Sequence, residues 1–191
     1  PDGCAACPSS KFPERAYRNV PAYGAYEVAM MKYSLDLAKR QNVNLRGLVT
    51  WAFMFDGQAW FDGFRSLATN GIHKPVLNAF KMLDYLGSRQ LAVSGGTGDR
   101  DGVDGMATIS ATDDEVAVVV YNYYSTINTT GTESVTLNVN NLPFAGEEIY
   151  VTKFGIDPDR SNPYGVWLDQ GRPTNPTEEQ WRALRAEQHL E

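Results

Sequence analysis

Between residues 51 and 64 the chain reads WAFMFDGQAWFDGF, a stretch that brings rings and carboxylates together. Aromatic faces stack on the apolar faces of sugar rings, and carboxylates accept hydrogen bonds from hydroxyls. The candidate substrate contacts are therefore Trp51, Phe53, Phe55, Asp56 and Trp60. Trp51, Phe53 and Phe55 also fit packing at the period of two of a strand, and for the two phenylalanines both readings stand side by side. Trp60 and Phe61 lie in a glycine-containing loop, where packing demands less of them. Asp56 and Asp62 could form a hydrolytic pair by themselves, but two carboxylates six apart on a loop are also ordinary solvated residues.

Other chemistry-bearing residues are sparse. Both cysteines fall in Cys4-Ala5-Ala6-Cys7. A redox C-x-x-C opens a helix directly after a strand, whereas Pro8-Ser9-Ser10 follows here and no helical pattern begins for about a dozen residues. Two small residues packing a tight loop explain the pair more simply. No second Cys or His pair completes a zinc site, so neither metal nor cofactor is expected. His73 and His189 read as solvated surface or cap residues rather than catalysts.

The 191 residues are 42% hydrophobic and 21% charged, which is ordinary globular composition and excludes disorder and collagen. With 17 basic and 23 acidic residues the net charge is −6, and no basic block occurs, so neither nucleic acid nor an anionic membrane is an expected partner. No apolar run approaches the ~20 residues that span a bilayer. The opening PDGCAACPSS has neither the basic nor the apolar region of a signal peptide.

The elements that must position the aromatic stretch divide the chain in two. Residues 22–41 predict an amphipathic helix with Tyr26, Met30, Tyr33 and Leu37 on one stripe and Pro21 at its first turn. Leu48-Val49-Thr50-Trp51-Ala52-Phe53 reads as a strand buried on both faces. After a long loop, Lys74-Pro75 opens a second helix, with Val76, Ala79, Phe80, Leu83 and Leu86 inward and Gly87 ending it. Helix, buried strand, loop and helix make about one unit of a parallel α/β barrel, which takes about 250 residues, or roughly 31 per strand–helix unit. In such barrels chemistry sits on the loops after the strands, where WAFMFDGQAW lies. From Gln90 the period changes to two. Strands are expected at 91–94, 106–111, 115–124, 134–140 and 148–154, an antiparallel sandwich. Thr177 and Gln180 form a capping box for a last helix through Trp181, Leu184 and Arg185. One strand makes no sheet alone, so the sequence is expected to be a piece of something larger.

TWAF at the strand, FDGFRSLATNGIHKPVLNAFKMLDYLG after it, and the tail IYVTKFGIDPDRSNPYGVWLDQGRPTNPTEEQWRALR resemble glycoside hydrolase family 39, which includes β-xylosidases and α-L-iduronidases. The opening DGCAACPSS…AYRNVPAYGAYEVA is similar to the family segment after strand seven. The resemblance implies an α/β plus all-β protein: residues 1–88 as helix 7, strand 8 and helix 8 of a (β/α)8 barrel, and residues 89–191 as an incomplete β-sandwich. It implies a retaining glycosidase acting at the ends of xylo-oligosaccharides, with an iduronidase as the alternative branch. Retention needs an acid/base and a nucleophile about 5–5.5 Å apart. By the resemblance both precede Pro1, so no catalytic residue is assigned within the chain. Trp51 matches the tryptophan that floors the sugar subsite, and Asp56 lies near family glutamates that bind hydroxyls. Met54 stands where related sequences carry an acid. Asp2, Tyr17 and Asn19 could line the same pocket or be plain loop residues. A non-catalytic carbohydrate-binding module, using Tyr121, Tyr123, Tyr124 and Trp167, is the reading from another class.

Overall fold

The computed structural model describes residues 13–50, 52–63, 65–97, 101–126, 131–144, 146 and 148–191. Contacts group the chain into two compact units: Pro1–Glu27 with Arg46–Lys81 and Phe154–Glu191, and Val28–Leu45 with Met82–Lys153.

A 3-10 helix at Pro13–Asn19 leads into α1 (Pro21–Arg40). Proline suits the first turn, because its missing N–H would have no helical partner there. Lys39 and Arg40 in the last turn face the negative end of the helix dipole. The helix stops where Asn42 takes a left-handed φ of 53° and Val43 N–H reaches back to Ala38 O at 2.8 Å. That is a Schellman-type end with asparagine in place of glycine. The buried residues are Tyr23, Gly24, Val28 and Ala29, whereas Tyr33 and Leu37 of the expected stripe are exposed. The buried face is thus a different one from the expected stripe, of which Tyr26 and Met30 are only half-buried.

In the first unit a two-residue hairpin joins β1 (Ala68–Thr69) to β2 (Ile72–His73). Its central residues, Asn70 and Gly71, have φ of 46° and 81°, the pair of positive values that a type I′ turn requires. α2 (Pro75–Asp84) follows directly and buries Pro75, Val76, Asn78 and Ala79. Gly24 of α1 meets this turn closely: a Cβ there would lie 3.2 Å from the Ala79 side chain. Two helices close the unit, numbered last in the chain: α3 (Pro163–Asp169) and α4 (Glu178–Glu187). The capping box on α4 forms as expected, with Thr177 and Gln180 each satisfying the other's backbone N–H.

The second unit holds an antiparallel sheet in the order β3 (Arg89–Leu91), β4 (Gly102–Ile109), β5 (Val116–Tyr123). Gly102 pairs with Tyr123 and Ile109 with Val116. On β5 the side chains alternate, Val119 and Tyr121 inward and Val118 and Val120 outward. Gly87 has a different role from the helix stop expected of it. A Cβ there would collide with the Ile109 carbonyl, and its N–H donates to Thr108 Oγ1 at 2.7 Å. Asp104 is buried in β4, where its carboxylate accepts from the Gly105 N–H at 2.7 Å and pairs with Lys32 at 3.0 Å.

Three expected strands are not observed among the described residues. Residues 48–50, 52 and 53 have no ladder, and Val49 is 99% exposed. Residues 134–140 and 148–154 likewise form no ladder among the described residues. An apolar alternating run becomes a strand only when a neighbouring strand takes its N–H and C=O groups in succession, and here the Ala52 and Phe53 carbonyls accept from Leu67 and Ala68 without building a ladder.

Candidate functional site

The aromatic stretch begins without a ladder, and two backbone clamps then define it. Leu67 and Ala68 N–H both donate to Phe53 O, at 2.9 and 2.8 Å, closing the stretch into a loop whose ends meet. Phe53 itself is 56% exposed, with its ring edge-on to His73 at 6.5 Å. Phe55 is half-buried and lies against Gly63. Asp56 is exposed, and Trp60 is half-buried with its ring 6.2 Å from that of Phe61. Trp51, Asp2, Cys4, Cys7 and Phe64 lie outside the described residues. Phe53, Phe55, Asp56 and Trp60 thus share one loop, and Phe53, Asp56 and Trp60 retain accessible surface.

What holds that loop is a turn centred on Phe61, which the sequence reading left as an unconstrained loop residue. Phe61 is 1% exposed and has a left-handed φ of 56°. Its ring sits 5.0 Å from Tyr164 and 5.1 Å from Trp167, so α3 supplies the pocket that buries it. Its carbonyl accepts from Asn19 Nδ2 at 2.8 Å and its N–H donates to Thr69 Oγ1 at 2.9 Å. A left-handed φ costs a bulky residue on the order of 1–3 kcal/mol and persists where surroundings over-determine it. Here a ring pocket and two hydrogen bonds do so. Asn19, weighed as a pocket-lining residue, is buried and serves the turn instead.

Lys74 secures the far side of the turn. Its Nζ is buried and donates to Ser66 Oγ at 2.9 Å and Gly63 O at 3.3 Å. Burial and the Arg18 guanidinium lower its proton affinity to about 7, with Asp62 opposing them. Asp62 is buried whereas Asp56 is exposed, so the two carboxylates occupy unlike environments. Nearby, burial raises the Glu27 carboxyl above the usual range, against the pull of Tyr23 and Arg65. The Tyr23 hydroxyl is raised as well, by burial and by Glu27.

His73 is half-buried rather than solvated. Its N–H donates to Gln188 Oε1 at 3.1 Å, while burial, Lys81 and His189 hold its ring below the usual histidine range. Asn78 Nδ2 also reaches Gln188, donating to its carbonyl at 3.1 Å. The end of α4 is thereby tied to β2 and α2. Among the described residues no group of three His, Cys, Asp or Glu could hold a metal ion, and no helix is long and apolar enough to cross a membrane.

The tail and the loop therefore fold as one body, an arrangement that repeats the order of the sequence motifs. The family model for glycosyl hydrolases family 39 matches residues 7–189. The chain belongs to that family. Three solved structures resemble this family 39 chain. A monomeric β-xylosidase from Caulobacter crescentus CB15 is 22% identical over 94% of this chain and 37% of its own length, with a TM-score of 0.58. A family 39 β-xylosidase from Caulobacter crescentus has the same 22% identity and 94% coverage, 36% of its own length and a TM-score of 0.63. A family 39 enzyme from Xanthomonas axonopodis pv. citri is 20% identical over 92% of this chain and 35% of its own, with a TM-score of 0.59. At these identities the likeness is one of fold. The chain spans little more than a third of their length.

Of the rings that a binding module would use, Tyr124 is exposed and Tyr123 half-buried, whereas the other two are packed. Tyr121 is a buried core residue of β5. Trp167 packs on Phe61 and Tyr164, with Nε1 donating to Pro173 O at 3.1 Å.

Proposed function

We propose that this chain is the C-terminal portion of a retaining glycoside hydrolase that removes xylose from the ends of xylo-oligosaccharides. The observation that carries the reading is the family 39 match over residues 7–189. Two of the similar structures are β-xylosidases, which favours that branch over an iduronidase. In this reading residues 1–88 are the last part of a (β/α)8 barrel and residues 89–191 an accessory β-sandwich. The acid/base and nucleophile are not among residues 1–191, and Asp56 and Asp62 are not that pair. Trp51, Phe53, Phe55, Asp56 and Trp60 contact the sugar: rings stack on its faces and the Asp56 carboxylate accepts from a hydroxyl.

The test is a pair of assays on the protein that carries this chain, with an aryl β-xyloside and an aryl α-L-iduronide. Turnover of the xyloside alone is expected. Turnover of the iduronide alone would assign the other branch. Asp56→Asn and Asp62→Asn should each retain turnover; loss by a factor of 10⁴ or more, on the order of what a missing catalytic group costs, would place the catalytic pair in this loop.

A further inference from the structure

Among the described residues Lys74 is the most deeply buried charged side chain, with 0% of its surface exposed. We infer that Lys74 is a proton-controlled latch that joins Gly63 to Ser66 beside the Phe61 turn: the closed turn holds the neutral amine, and protonation of that amine loosens it.

The geometry makes the charged form unwelcome. A buried ammonium needs an opposite charge in contact or a full set of acceptors. The two groups that Lys74 Nζ donates to, Ser66 Oγ and Gly63 O, are neutral oxygens, and an ammonium has three N–H donors. The charged groups acting on it are Arg18 from the 3-10 helix, which repels the proton, and Asp62 from the loop, which attracts it. Burial is the largest effect, and the net proton affinity falls to about 7. A solvated lysine, as in an opened turn, titrates near 10.4. The opened turn therefore binds the proton more tightly than the closed one, and raising the pH from about 7 towards 10.4 favours closure. Below about 6 both forms carry the proton and the balance no longer changes. The turn is sensitive to such a change because Phe61 and Arg65 both hold left-handed backbone, with φ of 56° and 47°. Trp60 adjoins it, so presentation of that ring follows the latch.

Amide exchange in the chain reads the turn itself rather than turnover, so its outcome is independent of any substrate assay. The informative amides are Phe61, bonded to Thr69 Oγ1, and Leu67, bonded to Phe53 O; Trp181 N–H, bonded to Thr177 O within α4, is the reference. Protection at Phe61 and Leu67, corrected for intrinsic rates, should rise about tenfold from pH 6 to pH 8. Lys74→Met, which has no proton to lose, should give a flat profile with Trp181 unchanged. A flat profile in the native chain, or the same rise in Lys74→Met, would overturn the inference. The Lys74 side chain followed by NMR in the native chain decides the matter even if Lys74→Met fails to fold: a transition near neutrality is expected, and one near 10.4 contradicts the latch.

Discussion

Two neighbouring stretches of the first unit both carry large apolar side chains and have opposite fates. Residues 61–79 bury Phe61, Ala68, Ile72, Val76 and Ala79, and Asn19, Thr69 and Gln188 hydrogen-bond to the backbone of Phe61 and the side chain of Asn78. Residues 46–53 include Leu48 and Phe53, both exposed, and Val49, which touches almost nothing. The difference lies in where partners come from. The first stretch is a hairpin followed by a helix, which satisfies much of its own backbone, and α3 covers the Phe61 ring. The second is a strand pattern whose backbone can be satisfied only by neighbouring strands. Apolar composition selects burial, but the kind of element decides whether burial can be local.

The largest expected effect tests the covered stretch. Phe61→Ala removes a ring packed on Tyr164 and Trp167 and should destabilise the chain by about 3–5 kcal/mol in urea denaturation. A cost under ~1 kcal/mol would mean that α3 does not bury the turn. Lys74 sharpens the point, because its sign runs against habit. Its folded proton affinity, about 7, lies below the solvated value, so the unfolded chain binds more protons above neutrality. Stability gained from this group should rise from pH 7 towards 10 by up to about 1.4 kcal/mol per unit, and Lys74→Met should remove that slope. Gly87→Ala forces a methyl onto the Ile109 carbonyl and should cost ~1–3 kcal/mol by thermal unfolding. Thr177→Ala removes one half of the capping box and should cost about 1 kcal/mol, seen as faster amide exchange in the first turn of α4. At the small end, Val49→Ala should shift stability by less than ~0.5 kcal/mol. A Val49→Ala cost above ~1.5 kcal/mol would erase the contrast between the two stretches.

Much of the covered stretch was legible in local signals. Pro21 and the basic last turn bracket α1 to within a residue, and the Thr177–Gln180 box starts α4 where expected. Val116–Tyr123 follows the period of two, whereas Gly102–Ile109 is buried on both faces and begins four residues before the expected 106–111. Two further signals were present and passed over. Asn70-Gly71 is a hairpin dipeptide that was absorbed into a long loop. Asn162-Pro163 is a cap followed by proline at the first helical position, and it starts α3. What no periodicity could reveal is the pocket for Phe61. Tyr164 and Trp167 stand about a hundred residues away, and contacts at that separation depend on tertiary packing rather than pattern. For the same reason Asn19 read as a loop residue and Trp167 as an exposed ring. Of the candidate contacts, Phe53, Phe55, Asp56 and Trp60 do share one loop, as their spacing suggested.

The most direct measurement is the stereochemistry of cleavage. Proton NMR of the first sugar released from an aryl β-xyloside by the protein carrying this chain should show the β-anomer before mutarotation, as a double displacement requires. Release of the α-anomer first, or no release at all, would contradict a retaining β-xylosidase.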